Sequence, residues 1–464
     1  MKSWNWGSSV WPQVPRKFLV PGKSRIDILV GLIHSSSKES LVKNRSLLRA
    51  AVTTAALSAL VVQPMVMAPA AADAPSLVKI GVTAPLSGPG AQSGLAVRTG
   101  MQLAVDQTNA KGGVTIDGKR VKVQAVFEDD QSNAASGVSA ALKLLTQEKV
   151  EFLIGDAFRS DVTLAIMDLA PQFKVPIMSG EAVAGSISKK VAADPKKYAN
   201  FWKGNLSSDS YAYSMSTAIE DLVASGKLKV PSKTVAFISE DTEYGRTIAQ
   251  LTGAVFEKAG WKVVDAETVA LGSSDFYPQF NKFKSMDPGL VMGTFTSADS
   301  GVALVKQFHE LGIHAALAGI YFPNRPEFLS GAQKSADGLV WATLQYDPVH
   351  SKTQRAFAAL VDSQAHQKAT YDIAAGFDIM SVALAALQKA GSTDVAVVDK
   401  AMLGLNYKGL LGRYDFDAKD HTVKSGPEYV VWPVAQIIGG ESFVIWPKNL
   451  ATHAAVPQVW LQGK

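Results

Sequence analysis

The stretch Val78–Ala96, VKIGVTAPLSGPGAQSGLA, decides the fold of this chain. Its β-branched run Val78–Thr83 predicts a strand, a Gly/Ser/Pro turn follows at Leu86–Gly90, and a helical pattern begins near Ser93. A strand, a tight turn and a helix N-terminus form the unit with which open α/β sheets build a ligand cradle. Free backbone N–H groups and the positive helix end favour an anionic group at such a turn.

The same unit recurs along the rest of the chain. The first series has predicted strands over 78–83, 121–127, 151–155 and 175–179 and helices over 93–110, 131–148 and 161–172. After a break at 184–199, which has no clear period, the second has strands over 234–239, 261–266, 290–295 and 315–320 and helices over 243–260, 275–286 and 300–312. The closing part has strands over 339–346, 428–437 and 442–447 and helices over 352–366 and 371–390. Such alternation predicts parallel sheets covered by helices on both faces, and two series predict two α/β lobes.

A signal peptide is predicted over residues 42–72. The apolar run Ala50–Val62 follows three basic residues and leads to a small-residue exit with a cleavage site after Ala72. Because the run is shorter than the ~20 residues that span a bilayer, we interpret it as a cleaved export signal rather than an anchor. The sequence therefore predicts a protein exported to the periplasm.

Residues 1–41 are too long for the basic segment of that signal and contain three Trp without periodicity, so we expect translation to begin near Val42. Residues 1–72 hold nine Lys or Arg and two Asp or Glu, which leaves the mature chain at about −2 instead of +5. Nucleic-acid binding therefore loses its electrostatic argument. The absence of cysteine excludes disulfides, thiolate metal sites, a Cys nucleophile and lipid attachment through Cys.

The motifs of common enzymes are each incomplete. The glycines of 88–94 have the spacing G-x-G-x-x-x-G, and the next strand-end acids lie ~40 residues on instead of ~20. The run 113–120 ends in Arg where a P-loop needs a hydroxyl, and we interpret it as a hairpin turn. His309 and His314 are five residues apart, whereas two ligands on one helix face need four. With no G-x-S-x-G elbow either, the sequence predicts no catalytic residue, no metal and no cofactor.

Polar turns at the carboxyl ends of the predicted strands are the better candidates for a site, because open α/β sheets bind ligands there. After the strand over 151–155, Ser160, nearby helix N–H groups and Arg159 could together hold a carboxylate. Ser160 or Asp161 could instead serve only as a helix N-cap. Arg159 could instead pair with Asp156 or Asp161.

Four more side chains follow strands in the same way. Glu181, after the strand over 175–179, is either an exposed loop residue or a counter-charge for a cationic group. Tyr244, Tyr321 and Phe322 follow strands of the second series, where an aromatic ring either packs in the core or forms a platform for a ligand. These alternatives stay open at the level of sequence.

The order and spacing of several motifs resemble a known family. These are VKIGVTAPLSG at Val78–Gly88, DQTNAKGG at Asp106–Gly113, FEDD at Phe127–Asp130 and EDTEYG at Glu240–Gly245. Together with the leader they resemble type I periplasmic solute-binding proteins of ABC transporters, and the leucine/isoleucine/valine-binding-like branch most closely. The resemblance covers about Ser76–Pro447.

The resemblance implies two Rossmann-like lobes joined by three hinge crossovers, with a small solute bound between closing lobes and delivered to an ABC permease. The crossovers fall near Tyr198–Asn205, Val340–Tyr346 and Tyr429–Ala435. The N-terminal lobe then comprises 73–202 with 346–430, and the C-terminal lobe 203–345 with 431–464. A monomer without cofactor is implied, and a sensor that docks on a membrane receptor is the alternative role.

Members that bind aliphatic amino acids hold the α-carboxylate with Ser or Thr on the loop that matches Phe158–Ser160. They also use the loop that matches Glu181–Val183 and a tyrosine that matches Tyr244. With the opening turn, the predicted ligand-binding residues are Ser87, Phe158, Arg159, Ser160, Glu181, Ala182, Val183, Tyr244 and Tyr321.

This sequence departs from the family at one position, since the acid that receives the α-ammonium falls at Tyr321. A buried ammonium without a counter-charge is costly, so either Glu181 replaces that acid or the ligand has no amine. Phe158, Arg159, Tyr244 and Tyr321 would suit an aromatic or other hydrophobic carboxylic acid. Branched-chain or other amino acids, and amides or urea-like solutes, remain alternatives.

Overall fold

A computed structural model of the protein describes residues 77–426 and 428–461. The predicted signal peptide, its cleavage site after Ala72 and the predicted start near Val42 lie outside these residues. The described chain forms two α/β lobes, each with its own central sheet.

The strands and helices are numbered in chain order. The strands are β1 Leu77–Ala84, β2 Val114–Ile116, β3 Lys119–Asp129, β4 Phe152–Ile154, β5 Ile177–Ser179, β6 Phe201–Lys203, β7 Thr234–Glu240, β8 Lys262–Val269, β9 Leu290–Phe295, β10 Ala316–Tyr321, β11 Val340–Ala342, β12 Tyr407–Lys408, β13 Arg413–Tyr414, β14 Val434–Ile438 and β15 Glu441–Trp446. The helices are α1 Ala91–Ala110, α2 Ala134–Lys143, α3 Ser160–Ile166, α4 Gly185–Ala193, α5 Ser208–Ala224, α6 Glu243–Lys258, α7 Tyr277–Met286, α8 Ala298–Glu310, α9 Pro326–Ala332, α10 Lys352–Ala365, α11 Tyr371–Ala390 and α12 Val395–Leu403.

The first sheet has the strand order β2-β3-β1-β4-β5-β6. All of its pairs are parallel except the hairpin of β2 and β3. That hairpin turns at Asp117 and Gly118, both with positive φ, as a tight two-residue turn requires. The run 113–120 is therefore a hairpin turn, as predicted, and β1 lies buried at the centre of the sheet.

Helices α1 and α11 cross closely against the first sheet. A Cβ at Gly100 would lie 1.9 Å from the Ile373 carbonyl oxygen, and one at Gly376 would lie 2.2 Å from that of Val97. Among the described residues, α11 is the one helix long and apolar enough to cross a membrane, but 67% of that stretch is buried inside the protein. We therefore interpret α11 as a core helix.

The second sheet has the order β15-β14-β11-β10-β9-β7-β8. Strands β7 to β11 pair in parallel, whereas β14 and β15 form an antiparallel edge that turns at Gly439 and Gly440, both with positive φ. The sheets are thus mixed, with the predicted parallel strands at their centres. Strands β9 and β10 are buried along their whole length, as expected where helices cover both faces.

The chain passes between the two sheets three times, after β6, after β11 and before β14. The passages lie side by side, since the Leu344 N–H donates to the Pro433 carbonyl at 3.2 Å and the Lys203 N–H to that of His421 at 2.9 Å. This arrangement confirms the predicted class of two α/β lobes joined by three crossovers. The predicted residue boundaries of the two lobes stay predictions.

Four helices were not predicted from the sequence: α4, α5, α9 and α12. Helix α4 lies in the stretch without a clear period, and its first N–H, on Gly185, donates to the hydroxyl of Ser208 at 2.9 Å, a contact from elsewhere in the chain. Helix α5 buries small polar residues such as Ser214 and Ser216 beside its apolar ones, which blurs the apolar stripe.

The predicted strand over 428–437 was too long. Strand β14 begins only at Val434, because Pro433 has no N–H for the ladder. Of the predicted strand over 339–346, only Val340–Ala342 forms a strand, β11. The chain leaves the sheet after Ala342 for the second passage.

Candidate functional site

A cavity of about 570 Å³, including its mouth, lies between the lobes at the carboxyl ends of the parallel strands. We call it the ligand cavity. The first lobe contributes residues after β4 and β5, and the second lobe contributes residues at or just after the ends of β7, β9 and β10. This is where an open α/β sheet presents its loops to a ligand.

Seven of the nine predicted ligand-binding residues line the ligand cavity. They are Phe158, Arg159, Ser160, Glu181, Val183, Tyr244 and Tyr321. Ser87 does not: it is exposed, and its hydroxyl donates to Asp129 Oδ2 at 2.6 Å, which ties the opening turn to the end of β3. Ala182 does not either, because its side chain packs into the hydrophobic core of the first lobe.

Ser160 has a hydroxyl hydrogen available to a ligand. Its Oγ accepts the N–H groups of Val183 at 3.2 Å and of Ala184 at 3.1 Å, and the residue is 4% exposed. Since the oxygen accepts both bonds, its own O–H is free to donate into the ligand cavity. The N-cap of α3 is Arg159 and no side chain caps the helix, so the interpretation of Ser160 or Asp161 as an N-cap was wrong.

Arg159 already has a carboxylate partner. Its Nε donates to Asp161 Oδ1 at 3.0 Å and a terminal nitrogen donates to Asp161 Oδ2 at 2.6 Å, a bidentate pair. Of the two alternatives left open, the pair with Asp161 is therefore the one that forms. A ligand carboxylate would have to compete with Asp161 for this guanidinium.

Glu181 is a buried carboxyl on the wall of the ligand cavity and only 6% exposed. Its Oε1 has no hydrogen-bond partner among residues 77–426 and 428–461. Burial raises the pKa of this carboxyl well above its usual range; the nearby Asp372 and Asp156 add to that shift, and Arg325 opposes it. The interpretation of Glu181 as an exposed loop residue was therefore wrong.

A second carboxyl, Glu240, lies at the end of β7 on the opposite wall. It accepts the N–H of Thr296 at 2.6 Å and the hydroxyl of Thr296 at 2.8 Å. Burial raises the pKa of this carboxyl as well. Glu240 is not among the predicted ligand-binding residues, although its place at the end of a strand is a usable signal in the sequence.

Aromatic rings form much of the remaining wall. The ring centroid of Tyr321 lies 6.1 Å from that of Phe158, 6.5 Å from that of Tyr244 and 6.1 Å from that of Tyr371. Tyr371 comes from the start of α11, and no local pattern in the sequence marked it as a site residue. Tyr211, on α5, was missed for the same reason.

The hydroxyls of these rings differ in their bonding. The buried hydroxyl of Tyr244 has no partner among the described residues, so it can donate to a ligand. The hydroxyl of Tyr321 donates to Asp372 Oδ1 at 2.7 Å and is engaged. Phe322 packs in the core against Phe295 and Phe328 and does not line the ligand cavity.

Arg325 joins the two lobes beside the ligand cavity. It follows β10 in the second lobe and donates to the Asp372 carboxylate and the Ser93 hydroxyl, which belong to α11 and α1 of the first lobe. Both Arg325 and Asp372 are almost completely buried. At the other side of the cleft, the Ser186 hydroxyl donates to Glu243 Oε1 at 2.8 Å. The structure is therefore a closed form, with the lobes in contact across the cleft.

The backbone at Tyr321 is unusual for its residue type. Its φ is +76° and its ψ is −51°, a region that side chains with a Cβ rarely adopt. Such residues cost of order 1–3 kcal/mol and persist only where surrounding contacts hold them. Here the hydroxyl bond to Asp372 is one such contact.

Carboxyl groups exceed free cations around the ligand cavity. Arg325 is neutralised by Asp372 and Arg159 by Asp161. Glu181 and Glu240 then remain without a cationic partner among the described residues, and Asp156 lies buried nearby. The electrostatic environment thus favours a ligand that brings a positive group.

The family model of periplasmic binding proteins matches residues 77–438. A Leu/Ile/Val-binding protein of Rhizobium johnstonii is 24% identical over 393 residues, which are 84% of this chain and 100% of that protein. A substrate-binding protein of a branched-chain amino acid transporter from Streptococcus pneumoniae, solved with isoleucine, has a TM-score of 0.65 and 23% identity, covering 79% of this chain and 97% of its own. A solute-binding protein of an ABC transporter from R. palustris, solved with benzoate, has a TM-score of 0.67 and 19% identity, covering 82% and 99%.

Two α/β lobes with a cavity between them define a bilobed solute-binding protein. The chain belongs to the periplasmic binding protein family. Its curated relatives are Leu/Ile/Val-binding proteins, so the predicted resemblance to that branch of ABC-transporter binding proteins is confirmed.

Proposed function

We propose that this protein is the periplasmic solute-binding component of an ABC importer and that its ligand is an α-amino acid with an apolar side chain. It acts as a monomer, is exported by the signal peptide over 42–72, and delivers its ligand to the permease subunits of the transporter. Its lobes, 73–202 with 346–430 and 203–345 with 431–464, close over the ligand.

The observation that carries the ligand proposal is the unpartnered carboxyl of Glu181. An ammonium group beside it would supply the missing partner and would lower its raised pKa, since an opposite charge favours the ionised form. An acid without an amine would add a negative charge next to Glu181 and Glu240, while both nearby guanidinium groups are already paired. An amine-bearing ligand therefore fits the charges better.

The ligand carboxylate has two free hydroxyl donors. Ser160 contributes its O–H from the first lobe, and Tyr244 contributes its O–H from the second. A carboxylate held by both would link the lobes, and binding would then favour the closed form through its extra contacts there. The apolar side chain would lie among the aromatic rings around Tyr321.

A benzoate-like acid is the second candidate, favoured by the same aromatic rings. For such a ligand Glu181 would have to be protonated, so that it donates a hydrogen bond to the carboxylate, as its raised pKa allows. The structures with isoleucine and with benzoate show that relatives of this fold bind both classes.

Calorimetric titration with isoleucine, phenylalanine and benzoate distinguishes these candidates. The protein should first be unfolded and refolded to remove carried-over ligand. An amino acid needs ionised Glu181, so its affinity should rise with pH up to the raised pKa; the affinity of benzoate should fall over the same range. Hydrogen bonds to charged groups contribute about 1.5–3 kcal/mol, so Glu181→Gln should weaken amino-acid binding at least tenfold.

Glu128→Gln is the matched control, because Glu128 pairs with Lys143 at 2.6 Å on the surface. It should leave both affinity and pH dependence unchanged. Binding of benzoate alone, strengthened at low pH, would reject the amino-acid proposal in favour of the second candidate.

A further inference from the structure

Two fully buried carboxyls, those of Asp130 and Asp156, lie side by side at the end of β1. Asp130 follows β3 and Asp156 follows β4, the two strands that flank β1 in the sheet. The Asp130 N–H donates to the Ala84 carbonyl at 3.0 Å, and the Ala157 N–H donates to the Thr83 carbonyl at 2.9 Å. The backbone of β1 therefore fixes the positions of both acids.

Asp156 holds the loop Phe158–Ser160, which we call the binding loop because all three of its residues line the ligand cavity. Its Oδ1 accepts the N–H of Phe158 at 3.2 Å, and its Oδ2 accepts the N–H of Arg159 at 2.7 Å. Its backbone carbonyl accepts the N–H of Gly180 at 2.7 Å. Asp156 is thus bonded both to the binding loop and to the loop after β5.

The bonding of Asp130 indicates that the two acids share a proton. Its Oδ1 accepts the N–H of Ser132 at 2.8 Å, but its Oδ2 has no N–H or hydroxyl donor among residues 77–426 and 428–461. The group in hydrogen-bond contact with it is the carboxyl of Asp156. Two ionised carboxylates only accept hydrogen bonds, so a bond between them requires a proton on one. Burial raises the pKa of both carboxyls, and the charge of Asp130 raises that of Asp156 further.

The other charged groups that face this pair come from three places in the first lobe. They are Asp129 at the end of β3, Arg159 after β4 and Glu181 after β5. The two acids oppose a second negative charge on the pair, whereas Arg159 is already paired with Asp161 of α3. Helix α2 approaches Asp130 at Gly137, and its one charged residue, Lys143, pairs with Glu128. A single negative charge on the pair therefore suits its surroundings.

We propose that Asp156 is a positioning residue for ligand binding and that the proton it shares with Asp130 keeps the binding loop in place. This inference rests on the proposed function of the ligand cavity but holds for either class of ligand. Loss of the shared proton leaves two negative charges together away from water, and their repulsion moves Asp156 away from the N–H groups of the binding loop. Ligand binding must then order the loop again, which weakens affinity.

The test is calorimetric titration of the full-length protein and two variants with isoleucine and with benzoate from pH 6 to 10. Asp130→Asn keeps an oxygen for the Ser132 N–H and offers Asp156 an N–H that does not titrate. Its affinity should lie within about threefold of the wild type at pH 7. As pH rises through the raised pKa of the pair, the wild type should lose at least about fivefold in affinity relative to this variant. The ratio of the two affinities cancels the titration of Glu181 and of the ligand, which both proteins share.

Asp156→Asn is the complementary variant. Its amide nitrogen cannot accept a hydrogen bond, so one N–H of the binding loop is left without an acceptor. Binding should therefore weaken about tenfold at every pH. Glu128→Gln, two residues before Asp130, breaks only the surface pair with Lys143 and should behave as the wild type. Thermal denaturation checks that each variant is folded.

Amide hydrogen exchange of the ligand-free proteins tests the binding loop without any ligand. In the wild type, exchange at Phe158 and Arg159 should rise with pH by more than the chemical exchange rate does, whereas in Asp130→Asn it should follow that rate. A tenfold loss of affinity in Asp130→Asn at pH 7, a ratio that does not change with pH, or wild-type affinity in Asp156→Asn would overturn the inference and leave the proposed function intact. If neither isoleucine nor benzoate binds the wild type, the proposed ligands are wrong, and the exchange at Phe158 and Arg159 decides the inference by itself.

Discussion

Replacement of Asp372 by Asn should weaken ligand binding by opening the cleft. Asp372 is 1% exposed at the start of α11 and accepts hydrogen bonds from Arg325 and Tyr321, both of the second lobe. Asparagine has nearly the same shape and keeps an oxygen for the Tyr321 hydroxyl. It removes the negative charge that neutralises Arg325 and puts an amide NH2, which cannot accept a hydrogen bond, in place of the oxygen that Arg325 contacts.

The size of the effect follows from the burial of Arg325, which is 4% exposed in the closed form. Breaking a buried ion pair by removing one partner costs about 3–5 kcal/mol, because a charge is left unpaired away from water. When the lobes separate, water can reach Arg325, so most of this cost falls on the closed form. A shift of about 3 kcal/mol weakens apparent affinity about 100-fold.

The unpaired guanidinium would also act on the ligand itself. Arg325 is close enough to Glu181 to influence the pKa of that carboxyl. Without Asp372 it would compete with the ammonium group of the proposed amino-acid ligand for Glu181. Both effects weaken the binding of an amino acid, so about 100-fold is a lower bound on the loss of affinity.

Titration calorimetry gives the affinity, and small-angle X-ray scattering over a range of isoleucine concentrations gives the opening of the lobes. Asp372→Asn should show a larger radius of gyration than the wild type at low ligand concentration. Glu128→Gln, which breaks an exposed pair in the first lobe, should change neither quantity measurably.

A folding defect can be separated from a defect in closure. The double variant Arg325→Met with Asp372→Leu removes both charges, which is often neutral for stability, and it should bind more tightly than the single variant. Wild-type affinity together with wild-type scattering in Asp372→Asn would refute the reasoning that this pair holds the lobes closed.

Three further changes have defined outcomes. Ser160→Ala removes a free donor and leaves the N–H groups of Val183 and Ala184 without their acceptor, so amino-acid affinity should fall at least tenfold by calorimetry; unchanged affinity would contradict the proposed role of its hydroxyl. Burial lowers the pKa of Lys203 from 10.5 to about 7, so between these values the unfolded chain binds more protons and the free energy of unfolding should rise with pH, by at most about 1.4 kcal/mol per unit. Urea denaturation at pH 7 to 10 should show this slope in the wild type but not in Lys203→Met. Gly376→Ala places a methyl group against the Val97 carbonyl and should destabilise the protein by about 1–3 kcal/mol in thermal denaturation, whereas an unchanged melting temperature would mean that α1 and α11 can separate at no cost.

Local pattern was enough to predict the centres of both sheets. Strand β9 has the predicted bounds, Leu290–Phe295. A short apolar run between turn signals is typical of a fully buried strand in a parallel sheet. The same reasoning located Glu181 and Tyr244, since loops at the carboxyl ends of parallel strands meet in the cleft. Both residues line the ligand cavity.

Contacts between distant parts of the chain could not be predicted from local sequence pattern. Tyr371 and Asp372 reach the cleft because α11 returns to the first lobe after the second passage, and no local pattern reports such a return. The partner of Arg159 could not be chosen from sequence either, since Asp156 and Asp161 are both within reach along the chain. Only the folded geometry distinguishes them.

The positive φ of Tyr321 means that the closed form contains backbone strain, which opening of the lobes can release. In the closed form its φ of +76° is held by contacts that include a bond to the other lobe. Once the lobes part, that bond is lost, and we expect the residue to relax to a negative φ, which a ligand-free open crystal structure would reveal. Closure then stores torsional strain of order 1–3 kcal/mol, and the release of this strain favours loss of the bound ligand when the lobes separate.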